Sequence, residues 1–106
     1  MHDLRIDVVR PGTELRLTGR LEGRNTSLAR AALHKAVSTG TGDLLVHVGG
    51  MKIWDASGLG VLVGAHRRAR HDGRRLVLAD VPPRELKLLR AANLHRVLTM
   101  EPLVLA

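Results

Sequence analysis

The stretch Leu44-Leu45-Val46-His47-Val48, the loop Gly49-Gly50-Met51-Lys52-Ile53-Trp54 and the segment Asp55-Ala56-Ser57-Gly58-Leu59-Gly60-Val61-Leu62 decide how this chain folds. The first five residues are almost continuously apolar. Such a run suits a strand covered on both faces, as in a parallel sheet, whereas a half-exposed strand would alternate. Gly49 to Trp54 reads as a loop. Leu59, Leu62, Val63, His66 and Ala69 then recur at helical spacing until Asp72-Gly73 breaks the pattern. Asp55 or Ser57 supplies an N-cap, and Gly58 permits close packing. Leu76-Val77-Leu78 is the next buried strand. Strand, helix and strand in this order make a parallel crossover unit.

Working outward, the N-terminal side begins with a clean alternation. Leu4, Ile6 and Val8 face one way, and Asp3, Arg5 and Asp7 the other. Pro11-Gly12 turns the chain, and Glu14 to Thr18 alternates again with Leu15 and Leu17 inward. The two runs predict an antiparallel hairpin. Asn25 is placed to cap a helix whose inward face carries Leu28, Ala32, Leu33, Ala36 and Val37, with Gly40 as a left-handed exit.

On the C-terminal side, Pro82-Pro83 opens a third helix, because proline at the first helical position sacrifices no hydrogen bond. Leu86, Leu89 and Ala92 are expected inward, and Asn93 is a left-handed stop. Val97 to Met100 reads as a last short strand or a turn, and Leu103-Val104-Leu105 receives no assignment. The predicted fold is α/β, one mixed sheet in the order β-β-α-β-α-β-α with a short tail. The chain of 106 residues is expected to form a single domain, 1–106.

Composition excludes several functions. Aromatic residues make up 1% of the chain, and Trp54 is the only one. A base-stacking platform for single-stranded nucleic acid could therefore draw on at most one aromatic face. There is no cysteine, so disulfides, thiolate metal sites and thiol chemistry are excluded. No apolar run follows a basic start and none approaches the roughly 20 residues that cross a bilayer. The expectation is a cytoplasmic protein without membrane insertion.

Catalytic patterns are missing as well. Ser57-Gly58-Leu59-Gly60 lacks the glycine two residues before the serine that a nucleophile elbow has. His2, His34, His47, His66, His71 and His95 form no metal-ligand motif. Gly49-Gly50 and Gly58-x-Gly60 match neither a phosphate loop nor a dinucleotide fingerprint. No catalytic residue, metal, cofactor or small-molecule substrate is expected. The net charge is +7, much of it from arginine scattered along the chain, and the strongest cluster is Arg67-Arg68-Ala69-Arg70-His71 with Arg74-Arg75 beyond. These cations fall at a helix end, where they complement the macrodipole, and no nucleic-acid recognition motif accompanies them.

Asp55-Ala56-Ser57-Gly58-Leu59 remains. It lies where a buried strand's loop meets a helix N-terminus, a place hospitable to a phosphate or carboxylate and equally suited to plain capping. Physics alone leaves both readings open.

Trp54 to Leu62, followed by Arg67-Arg68-Ala69-Arg70, Gly73 and Arg75-Leu76-Val77-Leu78, resembles the STAS domain of bacterial anti-sigma-factor antagonists. Leu17-Thr18-Gly19-Arg20-Leu21-Glu22 is similar to that family's early strand, glycine and acidic residue. Pro83-Arg84 through Leu94-His95-Arg96-Val97 is similar to its last helix and turn. The resemblance covers almost the whole chain. It implies a protein that docks an anti-sigma factor, usually a kinase-like ATP-binding protein, and so frees a sigma factor for transcription. It implies a docking surface around Asp55, Ala56, Ser57, Gly58 and Leu59, with Glu22 nearby. It also implies a switch, in which the kinase phosphorylates the residue directly after the motif aspartate and the added charge ends binding.

Here that residue is Ala56, which has no hydroxyl. Ser57 stands one position later, about 100° further round a helix. The expectation is a binding protein that is not switched at that spot, with Ser57 as the substitute acceptor in the alternative. Two other classes are carried forward: a STAS accessory subunit docking on the ATPase of a membrane lipid transporter, and a small basic nucleic-acid-binding protein.

Overall fold

The computed structural model describes residues 4–104. Its elements are β1 (Leu4–Arg10), β2 (Glu14–Leu21), α1 (Thr26–Thr39), β3 (Leu44–Ile53), α2 (Ala56–His71), β4 (Leu76–Val81), α3 (Pro83–Ala91) and β5 (Thr99–Pro102), with 3₁₀ turns at Gly23–Asn25 and Leu94–Arg96. The five strands form one sheet in the spatial order β1-β2-β3-β4-β5. β1 and β2 are antiparallel, and every later pair is parallel. All three crossovers step the same way along the sheet, so right-handed connections put the three helices on one face. One buried cluster accordingly joins Leu33 and Val37 of α1, Leu62 and Ala65 of α2, and Leu89 of α3 to Leu17, Val46 and Leu78 of the sheet.

The expected mixed α/β sheet is present, with one strand more than the predicted order: Thr99–Pro102 pairs in parallel with β4. The stretch Gly49–Trp54 is not a loop. β3 runs to Ile53 because β2 pairs with it along its whole length, as far as Leu21↔Ile53. A register shift between Arg16 and Thr18 absorbs the glycines. Val48 and Met51 are therefore both buried although three positions apart. That odd gap breaks the period-2 signal, which is why the sequence reads as a loop there.

Helix faces are rotated from expectation in places. Leu28 is exposed, and Ala29 takes its place in the core. In α2 the deepest side chains are Val61, Leu62, Ala65 and Ala69, while Leu59 and Val63 are half-buried. Ala92 is exposed, since α3 has ended by then. Val8, on the edge strand β1, is exposed and borders an open groove against α1. Asp3 and Leu105 lie outside the described residues. Asn93 does take the left-handed conformation, at φ 61°.

Asn25 does not cap α1 with its side chain; it ties the preceding turn instead. Its Oδ1 accepts the Glu22 N–H at 3.0 Å, and its Nδ2 donates to the Arg20 carbonyl at 2.8 Å. Gly40 is extended, with φ −131°, so it is no left-handed exit. It is glycine because a Cβ there would lie 2.2 Å from the Gly12 carbonyl oxygen. Arg74 finishes α1. Its guanidinium is buried and donates to the carbonyls of Ala36, Val37 and Gly42 at 2.9 Å and of Gly12 at 2.5 Å. These include helix-end acceptors that would otherwise lack partners.

Among the described residues no helix is long and apolar enough to cross a membrane.

Candidate functional site around the start of α2

The site is organised by Asp55. Its backbone is extended, and its side chain caps α2: Oδ1 accepts the N–H groups of Ser57 at 3.0 Å and Gly58 at 3.3 Å. The other oxygen, Oδ2, accepts the N–H of Gly23 at 3.0 Å. One carboxylate thus caps a helix and anchors the turn that follows β2. Its charge sits where the helix dipole favours an anion.

Gly58 is buried against the sheet. A Cβ there would come within 3.0 Å of the Leu21 carbonyl and 3.1 Å of Leu21 Cγ, so only glycine lets α2 approach this closely. Leu59, half-buried, packs on the core beside it.

Ala56 and Ser57 are both exposed but address different neighbours. Ala56 lines a shallow groove of about 290 Å³ between α2 and α3, with Trp54, Leu59, Arg84 and Leu88. Ser57 looks across to the turn: a Cβ on Gly23 would stand 3.6 Å from Ser57 Oγ. The residue before Gly23 is Glu22. Its Oε2 is buried without a hydrogen-bond partner and is ion-paired with Arg24 Nε at 3.9 Å. The fold therefore brings Asp55, Ser57 and the Glu22 turn together and leaves Ala56 on the groove side.

Three features were not legible in the motif. Trp54 is 53% exposed, with the Arg20 guanidinium 4.7 Å above its ring. Glu85, in the first turn of α3, is buried; it accepts the Ile53 N–H at 3.2 Å and pairs with Arg84. It closes the end of β3, whose pairing with β4 stops at His47. An acidic residue in a helix's first turn was its only sequence signal.

The third lies on the open face of the sheet. His47 is held between two carboxylates, with Nδ1 2.6 Å from Asp80 and Nε2 2.5 Å from Glu14. The hydrogen bond to Asp80 holds the imidazole pKa above its usual value, and Glu14 adds to this against the opposing effect of burial. Asp80 adopts a left-handed φ of 58° at an irregularity of β4.

The basic run is less available than its sequence suggests. Arg74 is internal, Arg75 pairs with Asp43 at 2.6 Å, and Arg68 lies 3.5 Å from Asp72. His66 is buried, and its pKa is lowered first by burial and then by Arg70 and Arg67.

A mixed sheet covered by three helices, with a capped and exposed α2 start, agrees with the comparison that decides the family. A family model described as "Mlab, STAS domain" matches residues 5–104. The chain belongs to the STAS-domain family. Solved structures show the same fold at low sequence identity. A putative anti-sigma factor antagonist from Thermotoga maritima is 18% identical, with a TM-score of 0.72 over 94% of this chain and 86% of that one. The phosphorylated Bacillus cell fate determinant SpoIIAA is 21% identical, with a TM-score of 0.67 over 92% and 89%. A sulfate transporter family protein from Wolinella succinogenes is 17% identical, with a TM-score of 0.73 over 90% and 80%. This STAS domain thus has structural neighbours bearing both antagonist and transporter names.

Proposed function

We propose that this STAS domain is an anti-sigma-factor antagonist. It binds an anti-sigma factor of the kinase-like, ATP-binding kind and so releases a sigma factor for transcription. The observation that carries the reading is the exposed surface at the start of α2. There Ala56 and Ser57 stand on a helix end fixed by Asp55, beside a groove with the apolar side chains of Leu59 and Leu88 and the cation of Arg84. Such a surface suits stoichiometric docking, and the antagonist neighbours support the assignment. The chain contributes no enzymatic turnover of its own in this reading. With Ala56 in the acceptor position, phosphorylation does not switch it there.

A second reading rests on the family model's own description and on the transporter neighbour. In it the same surface docks on the ATPase of a membrane lipid transporter. Titration of a preformed anti-sigma–sigma complex with this protein separates the two. Stoichiometric release of the sigma factor, weakened by a charge at Ala56 (Ala56→Asp), is expected. Failure to release it, together with binding to a transporter ATPase, favours the second reading.

A further inference from the structure

The geometry points to a second copy of this chain as a partner of β1, through an antiparallel pairing of the two β1 strands about a two-fold axis at Ile6. Among the described residues β1 is an edge of the sheet, with no strand paired on one side of its backbone. It also carries unburied apolar surface. Val8 is 61% exposed, and it lines an apolar groove of about 260 Å³ beside Leu15 and Ala36.

The ladder with β2 is regular from Leu4 to Val8 and shifts between Val8 and Arg10. A bulge ends pairing beyond Val8, so among the described residues five, Leu4 to Val8, are available. An axis normal to the sheet must pass through a residue, because residues directly opposite in an antiparallel pair share a face. Only Ile6 as centre uses all five.

That register also fits the charges. It sets Arg5 opposite the second copy's Asp7, and Asp7 opposite its Arg5. Centring on Arg5 or on Asp7 instead would oppose like charges. Within one chain Arg5 Nε already donates to Asp7 Oδ1 at 3.1 Å, and Asp7 stands opposite Arg16 on β2. The pairing extends this alternation across the seam. On the other face Leu4, already buried in each copy, meets Val8 twice and Ile6 meets itself, covering the surface of Val8 and Ile6 that one copy leaves in water.

Sedimentation equilibrium from micromolar to sub-millimolar protein tests this, with thermal melts confirming that each variant folds. Wild type is expected to dimerise. Asp7→Arg, which opposes Arg to Arg twice, should weaken the dimer by roughly tenfold or more. Arg5→Asp with Asp7→Arg exchanges both partners and should restore it. A wild type that stays monomeric throughout overturns the proposal. So does a dimer indifferent to Asp7→Arg, or a double variant that folds but does not re-associate. None of these outcomes depends on what binds at α2.

Discussion

The side chain of Asp55 and the backbone of Gly23, 32 residues apart, are joined by a 3.0 Å hydrogen bond from the Gly23 N–H. The same carboxylate caps α2 through Ser57 and Gly58. Losing it removes a cap and a tertiary tie together. Asp55→Ala should destabilise the domain by about 1–3 kcal/mol, from the cap and the charge-assisted bond. Asp55→Asn retains an acceptor oxygen and should lose less. Chemical denaturation of the three proteins checks the order; an Ala variant as stable as wild type would contradict the assigned role.

Leu62 is 1% exposed and packs in the central cluster. Leu62→Ala should cost about 2–5 kcal/mol, the transfer term plus the cavity. Half-buried Val63→Ala should cost clearly less. Equal losses in urea melts would mean that the buried face of α2 is wrongly oriented.

Arg74 is held by carbonyls of α1 and of the loops beside it. Arg74→Ala strands several of these acceptors and should destabilise by about 3 kcal/mol or more. Arg74→Lys keeps the charge but not the planar fork, so it should recover only part of the loss. Full rescue by lysine would show that charge alone matters.

His47 links stability to pH. Its pKa is raised in the folded state by Asp80 and Glu14. Its contribution is therefore complete below the unfolded value of about 6.5 and is lost as pH rises through the folded value. His66 has the opposite sign: its lowered pKa gives stability that is present above about 6.5 and lost in acid. The interval above 6.5 thus isolates His47. Wild type should lose thermal stability there relative to His47→Gln, whose profile should be flatter. Parallel profiles from neutral to mildly alkaline pH would refute the linkage.

Ala56 faces the groove, and Ser57 faces the Glu22 turn. Incubation of wild type with an anti-sigma kinase and ATP should add no phosphate and leave affinity unchanged. Ala56→Ser should gain phosphate and then bind more weakly, because a charge near −2 is placed beside Asp55. Phosphopeptide mapping decides the matter. Stoichiometric phosphate on wild-type Ser57, absent from Ser57→Ala and accompanied by loss of binding, would replace an unswitched antagonist with one whose switch is displaced.

Local signals in the sequence were enough for the element order as far as α3 and for a helix start at Asp55 or Ser57, of which the structure makes Asp55 the cap. Apolar periodicity marks α2, proline marks the start of α3, and a short acidic side chain before a helix marks a cap, each through interactions within a few residues. What depended on distant partners was not legible. The length of β3 is set by β2 through Leu21↔Ile53, across a glycine pair that hides the strand period. Gly40 is glycine because Gly12 lies against it, and Arg74 is internal because α1 ends beside it. His47 looks like a scattered histidine until the sheet sets Glu14 and Asp80 on either side of it, each 33 residues away. A side chain's burial and charge state follow from which neighbours the fold delivers, and a single stretch of chain does not contain them. Backbone geometry within a turn or two was therefore determined locally, while the partners of Arg74, His47 and Glu85 were decided only by the tertiary structure.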